Sequence, residues 1–498
     1  MRKRFEEQSS LFFHDIGTAE IPEKSRSSTV KLFACLKQIY LNDEYRDRIL
    51  AILEKSLAPK KQTGRKGLNL WQILVLAQLR MCENIGYDQL EYLAMHDILL
   101  RHLLGIRDNN GQKEIRWEYQ RIYDNVNILN DEFLSEINDV IIEFGHGEVF
   151  KKKETVALRL KTDSYVLESN VHFPTDYNLL WDSARKSIET IKKIIKKYPE
   201  IEGWRKIKNW YSELKNLSRA LGQASGSGGK NKEDRVKKAA MAYLKKARGL
   251  SNKLEEDMAN LPSRDVVDLA NKTALSEYIS LLNKHIDLVD RRLLQGELIP
   301  HEEKMFSIFE QYTEWVTKGK SRPNVELGKR LAITTDQYHL IVDYQIMDKI
   351  TDSEIVKELG NRVNLKYNLI ASWSFDKGFW NSENKPHLQG IVANQVVMPK
   401  KGKKNQAEQK EESQPAFKKL RNQHSAVESN INELEHRGLD RCPDRGYVHF
   451  KRYVGLGVIS YNIHKIGAEI LKQRLAEKKK EKEQQLKRAA RLRLRATG

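Results

Sequence analysis

Thr155-Val-Ala-Leu-Arg-Leu-Lys-Thr-Asp163 and Leu369-Ile-Ala-Ser-Trp-Ser-Phe-Asp376 are two short runs that each end on a carboxylate. The first alternates apolar and polar residues, the period of a strand with one buried face, and the second is equally strand-like. A third acid, Glu428, sits in His424-Ser-Ala-Val-Glu428-Ser-Asn-Ile-Asn-Glu-Leu, a stretch of helical spacing. Ala426, Val427 and Ile431 flank this glutamate, so it lies near an apolar face, whereas Glu433 and Glu435 are further acids on the same stretch. The pattern sets two acids at strand ends and one on a helix.

Working outward from these acids, residues 155–172 read as a strand or strand pair carrying Asp163 and stopping at Pro174. Strand character returns over residues 325–336 and 338–346, joined as a hairpin by Asp336-Gln337. A helix over 352–363 follows, capped by Thr351 or Asp352, and then the strand that ends at Asp376. Residues 400–414, rich in Lys, Glu and Gln, read as an exposed loop, residues 421–435 as the helix of Glu428, and residues 453–471 as a last apolar helix packed behind it. Between the strands, residues 177–320 differ in kind. Ile188, Ile191, Ile194 and Ile195 share a helix face, mixed-charge helical patterns resume at 233–257 and 264–296, and Ala224-Ser-Gly-Ser-Gly-Gly229 is a flexible link. Before the strands, Trp71, Leu74, Val75, Gln78 and Leu79 recur at helical spacing, as do Leu90, Leu93, Ala94 and Ile98. The expected organisation is a polar arm (1–28), a helical domain (29–150), an α/β domain split into 151–176 and 321–471, a helical insertion (177–320) and a basic helical tail (472–498).

The chain has 498 residues and a formal net charge of +19, which favours a polyanionic or acidic partner without fixing the fold. Residues 472–498 hold 11 Lys and Arg against 3 Glu, a net of +8, so +11 is spread over the rest and the tail alone does not explain the charge. Cys35, Cys82 and Cys442 lack any zinc-ligand spacing, and a sparse, odd count suits a reducing compartment. No apolar run reaches the ~18 residues a membrane helix needs, and the N-terminus lacks the apolar core of a signal peptide. A cytoplasmic protein without a membrane partner is expected.

Carboxylates at such positions suit hard divalent cations, and a pair about 4 Å apart would clamp the attacking and leaving oxygens of a phosphoryl displacement. Asp163, Asp376 and Glu428 are the candidate catalytic residues and metal ligands. Asp336 is assigned to the hairpin turn and Asp176 to the cap of the helix beginning near Tyr177, while Asp343 is a further acid near a strand. Candidate DNA contacts are Lys60, Lys61, Arg65 and Lys66 ahead of a helix N-terminus, Lys377 beside Asp376, Arg421 and His424 before Glu428, and Arg488 and Arg491 in the tail. A solvated loop or frayed helix is the plain alternative for the basic stretches, a structural hydrogen bond for His172 and His424, and core packing for Trp181, Trp373 and Trp380. Trp181 or Trp380 would be the wedge if the protein holds an unpaired base.

The element order strand, insertion, strand–strand, helix, strand, helix is that of the ribonuclease-H-like nucleotidyl-transfer fold. At these segments the chain resembles bacterial insertion-sequence transposases of the DDE class, nearest to the ISNCY group. The likeness is carried by Gly64-Arg-Lys-Gly67, Lys161-Thr-Asp163 with Val166-Leu-Glu-Ser-Asn170, and Pro174-Thr-Asp176; then by Pro300-His-Glu-Glu-Lys304, Lys318-Gly-Lys320, Ser374-Phe-Asp-Lys-Gly-Phe379, Pro399-Lys-Lys-Gly402, and His424-Ser-Ala-Val-Glu428 through Gly438-Leu-Asp-Arg441. It spans residues 30–470; single motifs are weakly specific and their joint order is strongly so. The resemblance implies a catalytic triad of Asp163, Asp376 and Glu428, two Mg²⁺ ions replaceable by Mn²⁺, and a helical N-terminal DNA-binding region. It implies binding of double-stranded DNA at terminal inverted repeats, hydrolysis at the element ends, joining of the freed 3′-OH to target DNA, and work as a homodimer. Arg421, His424 and Glu435 stand where related groups carry Tyr, Arg and Lys of a Tyr-Arg-Glu-Lys signature, so contacts made by that signature do not carry over. A nuclease on the same fold that cuts without rejoining, and a DNA-binding protein with relic acids, are the alternatives.

Overall fold

The alternation across residues 155–168 yields one strand, β1 (Leu158–Glu168), with Asp163 in its middle rather than at its end. β1 continues past the acid because Ser164 to Glu168 still have partners, Ala332 to Gly328, on an antiparallel neighbour. The computed structural model describes residues 3–5, 15–56, 67–106, 116–129, 131–317 and 325–496, with side chains to residue 489. It is a mixed α/β structure. After β2 (Glu314–Thr317) come β3 (Val325–Thr335), β4 (Ile341–Met347), β5 (Ile370–Phe375) and β6 (Gln395–Val397). β3 lies between β4 and β1, and β5 between β1 and β6. β3 is antiparallel to both its neighbours here, while β5 is parallel to β1 and β6 to β5, so β3 alone runs backwards among these five.

The hairpin between β3 and β4 turns over residues 336–340, more than the two-residue turn expected from Asp336-Gln337. The buried Asp336 carboxylate closes it by accepting from the Tyr338 and Leu340 N–H groups at 2.8 and 2.9 Å, and His146 Nε2 lies 2.6 Å from its other oxygen.

Among the described residues seven α-helices precede β1: α1 (Ser28–Leu41), α2 (Asp43–Ser56), α3 (Leu70–Cys82), α4 (Tyr87–His96), α5 (Ile98–Leu103), α6 (Tyr119–Val126) and α7 (Leu134–Phe144). Four long helices, α8 (Asp176–Lys197), α9 (Ile207–Gly226), α10 (Lys232–Met258) and α11 (Val266–Leu293), lie between β1 and β2. Thr175, not Asp176, caps α8 by accepting from Asn178 N; Asp176 instead pairs with Arg292. α9 runs through Gly226, so the first half of the expected glycine-serine link is helical.

After β4 come α12 (Asp352–Lys366), α13 (Asn384–Gln389), α14 (Gln406–Ser413), α15 (Pro415–Leu434) and α16 (Tyr447–Ala496). Thr351 caps α12, its N–H donating to Glu354 at 2.6 Å. α14 occupies what reads as a loop in sequence. Asn405 accepts from Glu408 N at 2.8 Å, and Lys400–Glu408 and Lys404–Glu412 pairs hold this short helix despite its polar composition.

The chain divides into two compact units, residues 1–169 with 328–498, and residues 170–327. The helices before β1 therefore share a unit with the sheet, and no boundary between units falls near residue 150. α16 is the reason: it packs against α1, α3, α7 and β4. At Gly467 a Cβ would stand 1.8 Å from the Lys31 carbonyl oxygen, so α1 and α16 touch backbone to backbone where only glycine fits. The second unit has its own core, including Ile188, Ile191, Leu214, Tyr243, Leu250 and Leu282.

Candidate active site

Two strand registers place the first two acids side by side. Thr162 of β1 is paired with Phe375 of the parallel strand β5, and the next residue on each is an aspartate, Asp163 and Asp376. Neighbouring strands lie about 4.8 Å apart, and residues level with each other point to the same face. On that face Lys161 is level with Ser374 and Arg159 with Ser372. The strands are held rigidly at this level: Trp373 is fully buried, its indole N–H donates to Thr162 Oγ1 at 2.8 Å, and Thr162 Oγ1 lies 2.7 Å from Thr334 Oγ1.

α15 packs on β1, β5 and β6 and brings the third acid. His424 Nδ1 lies 3.0 Å from Ser374 Oγ, two residues before Asp376. Glu428 follows one helical turn later on the same stripe. Val427, fully buried, anchors the helix while Glu428 itself is exposed.

Asp163 registers this crowding. Its carboxyl is pushed up to about 7, first by burial and then by the charges of Asp376, Asp352 and Glu428, against the opposing hydrogen bond from Ser164 N. Asp352 is a member that the sequence reading treated only as a helix cap. It opens α12, accepts from Ser164 Oγ at 2.6 Å, and sits beside Gly378, where an added Cβ would be 3.0 Å from its Oδ2. Its sequence signal, an acid in the first turn of a helix, is shared by many capping residues.

Three acids, Asp376, Asp352 and Glu428, gather around Asp163 without closing on one point. Among the described residues no group of three His, Cys, Asp or Glu side chains is arranged to hold a metal ion. The donor chemistry nevertheless fits a hard divalent cation, because every candidate ligand is a carboxylate and their mutual repulsion already raises Asp163.

His424 is half-buried, and burial lowers it to about 4, with Asp376 opposing and Lys161 assisting. It is neutral at neutral pH, so it offers a hydrogen bond and no charge. Its Nε2 is buried without a hydrogen-bond partner. Lys377, Arg421 and Arg488 are exposed. Lys60, Lys61, Arg65 and Lys66 lie outside the described residues, as does the side chain of Arg491. Trp181 packs edge-on against Tyr211 at 5.1 Å and Trp380 carries the Lys400 ammonium over its ring at 5.3 Å, so both have packing partners. His172 pairs with Asp182 at 3.3 Å. No protein-family profile, curated protein or solved structure matches the chain. No helix of the described residues is long and apolar enough to cross a membrane.

Proposed function

We propose that the chain is a DDE-type DNA transposase built on a ribonuclease-H-like domain, with Asp163, Asp376 and Glu428 as its catalytic acids. The observation that carries this reading is that Asp163 and Asp376 each directly follow a paired residue, Thr162 and Phe375, on adjacent parallel strands against which the helix of Glu428 packs. The strand order β4–β3–β1–β5–β6, with β3 alone reversed, supports the fold assignment. The net charge of +19 suits a double-stranded DNA substrate.

Asp163, Asp376 and Glu428 would hold a pair of Mg²⁺ ions, or Mn²⁺ in their place. When bound, such a pair supplies activation of an attacking water and neutralisation of charge at the departing 3′ oxygen. The chain's own part is positional. Thr162, Trp373 and Thr334 fix the strand level of the two aspartates, and Ser374 holds α15 through His424. Lys377, next to Asp376, and Arg421, two turns before Glu428, are both exposed and would contact the phosphate backbone. The freed 3′-OH then replaces water as nucleophile and attacks target DNA. Two ends cut in concert need two active sites, which makes a homodimer the working form.

The deciding experiment is cleavage of labelled DNA carrying the element's terminal repeat, in Mg²⁺, Mn²⁺ or EDTA. Wild type should nick at the repeat boundary only with metal, and Asp163→Asn, Asp376→Asn and Glu428→Gln should each abolish nicking while DNA binding persists. Nicking near the wild-type level in any one variant removes that residue from the site.

A further inference from the structure

α6 displays two tyrosines one turn apart whose rings are near parallel, 11° between planes, and which stay 37% and 40% exposed, Tyr119 and Tyr123. Tyr87 meets both edge-on at 6.2 and 5.0 Å. These rings line a cavity of about 770 Å³ together with Pro443 to Arg445 and the start of α16. Single exposed aromatics are ordinary, but a fixed aromatic platform lining a concavity is a ligand feature.

The rest of the lining is cationic and rich in donors. Arg80, only 6% exposed, lies between the Tyr87 ring at 4.4 Å and the Tyr453 ring at 5.5 Å and donates to Asp444 at 2.8 Å. Arg452 donates to the same carboxylate at 3.3 Å and to the Asn127 carbonyl at 2.6 Å. One acid is thus shared by two buried arginines. The Arg80 Nε–H and the Asn127 amide nitrogen are buried without an acceptor. At the rim Arg445 is exposed and forms no side-chain hydrogen bond or ion pair among the described residues.

A flat π surface and a free guanidinium are two things a nucleotide asks for: a stacking face and a phosphate contact. The volume suits a small ligand and is too small for a duplex. We infer that this cavity binds one unpaired nucleotide, its base stacked on Tyr119 and Tyr123 and its phosphate on Arg445. The inference rests on the DNA reading for the nucleotide's source, a locally unpaired strand near the cut. The cavity is linked to the site through β1: Glu168, paired with Arg441 just before the cavity wall, is five residues beyond Asp163. At about 3.3 Å per residue that is roughly 17 Å, or about five steps of a DNA strand.

The test titrates the full chain with dAMP, and with a single-stranded oligonucleotide carrying 2-aminopurine, whose fluorescence is quenched on stacking. Tyr119→Ala/Tyr123→Ala should weaken both by about tenfold or more, Tyr119→Phe/Tyr123→Phe should bind as wild type, and Arg445→Ala should weaken both. Both tyrosines are partly exposed, and circular dichroism checks that the alanine variant remains folded. A folded alanine variant that binds both probes like wild type overturns the inference, as does a wild type that binds neither. Repeat-end nicking by wild type is scored separately: its loss sinks the transposase reading, whereas tyrosine-dependent dAMP binding would still stand as a nucleotide site.

Discussion

An aspartate whose carboxyl is pushed up to about 7 destabilises the folded chain once it ionises. The unfolded chain releases this proton near pH 4, the folded one near 7, so between those values the unfolded state binds fewer protons and stability falls as pH rises. Below pH 4 the group is neutral in both states and the penalty is absent; above 7 it is complete. Asp163→Asn removes the charge and keeps the shape. In EDTA the variant should be more stable than wild type at pH 8, by roughly 1–4 kcal/mol, with the advantage shrinking toward pH 5. Added Mg²⁺ should raise the melting temperature of wild type at pH 8 and not that of the variant. Urea melts at both pH values check this, and a variant less stable than wild type at pH 8 would place the strain elsewhere. At this scale the sequence is informative where an acid ends an unlikely place for one: Asp376 closes an apolar strand, and Asp163 interrupts another. Asp352 escapes such reading because an acid at a helix start has an ordinary reason to be there, and only the packing of α12 beside β1 and Gly378 shows its second neighbourhood.

Helix α15 carries two groups of different electrostatic kind one turn apart. Arg421 is an exposed cation, whereas His424 is half-buried, lowered to about 4 and bonded to Ser374. On the proposed function, Arg421→Ala should reduce the slope of log affinity for duplex DNA against log salt by about 0.9, the mark of one lost phosphate contact. His424→Ala should leave that slope unchanged yet slow cleavage, because what it removes is the tie between α15 and β5. Equal slope changes in the two variants would make His424 a cation after all and contradict its burial. The element's identity is legible from its 3.6-residue period, but its start is not: α15 begins at Pro415, and the polar α14 before it has no apolar face to announce a helix. α14 is held by capping and ion pairs, whose partners at Lys400 and Lys404 look like loop composition in the sequence. The hairpin turn is missed by a few residues for a similar reason, since the Asp336 side chain substitutes for backbone pairing.

On the scale of the whole molecule, residues 170–327 form a compact unit of their own between two parts of the first unit in sequence. Residues 170–327 leave the first unit after Ser169 and return at Gly328, which is paired with Glu168 across β1 and β3. The two chain ends are therefore neighbours on adjacent strands, the geometry that a short hairpin loop closes. The helical periodicity of 177–320 makes an insertion legible in sequence, but the limits at 170 and 327 depend on this pairing, which no local pattern shows. Gly328 is the residue that permits it: a Cβ there would stand 2.0 Å from the Leu167 carbonyl oxygen, so Gly328→Ala should destabilise the first unit by about 1–3 kcal/mol in urea melts. The second unit draws its core from its own helices, with Leu180, Ile191, Tyr243 and Leu282 all fully buried among themselves. Replacing residues 170–327 by a short glycine-containing loop should then leave a chain that melts cooperatively and keeps the raised carboxyl of Asp163, while residues 170–327 expressed alone should give a helical circular-dichroism spectrum and a melt of their own. If the long helices carry the subunit contact of the proposed transposase, full-length protein should sediment as a dimer and the shortened chain as a monomer that binds DNA ends singly. A shortened chain that is still dimeric would move the contact to the first unit. One that fails to melt cooperatively would mean that the sheet depends on the insertion, and that the paired residues Glu168 and Gly328 do not mark an independent boundary.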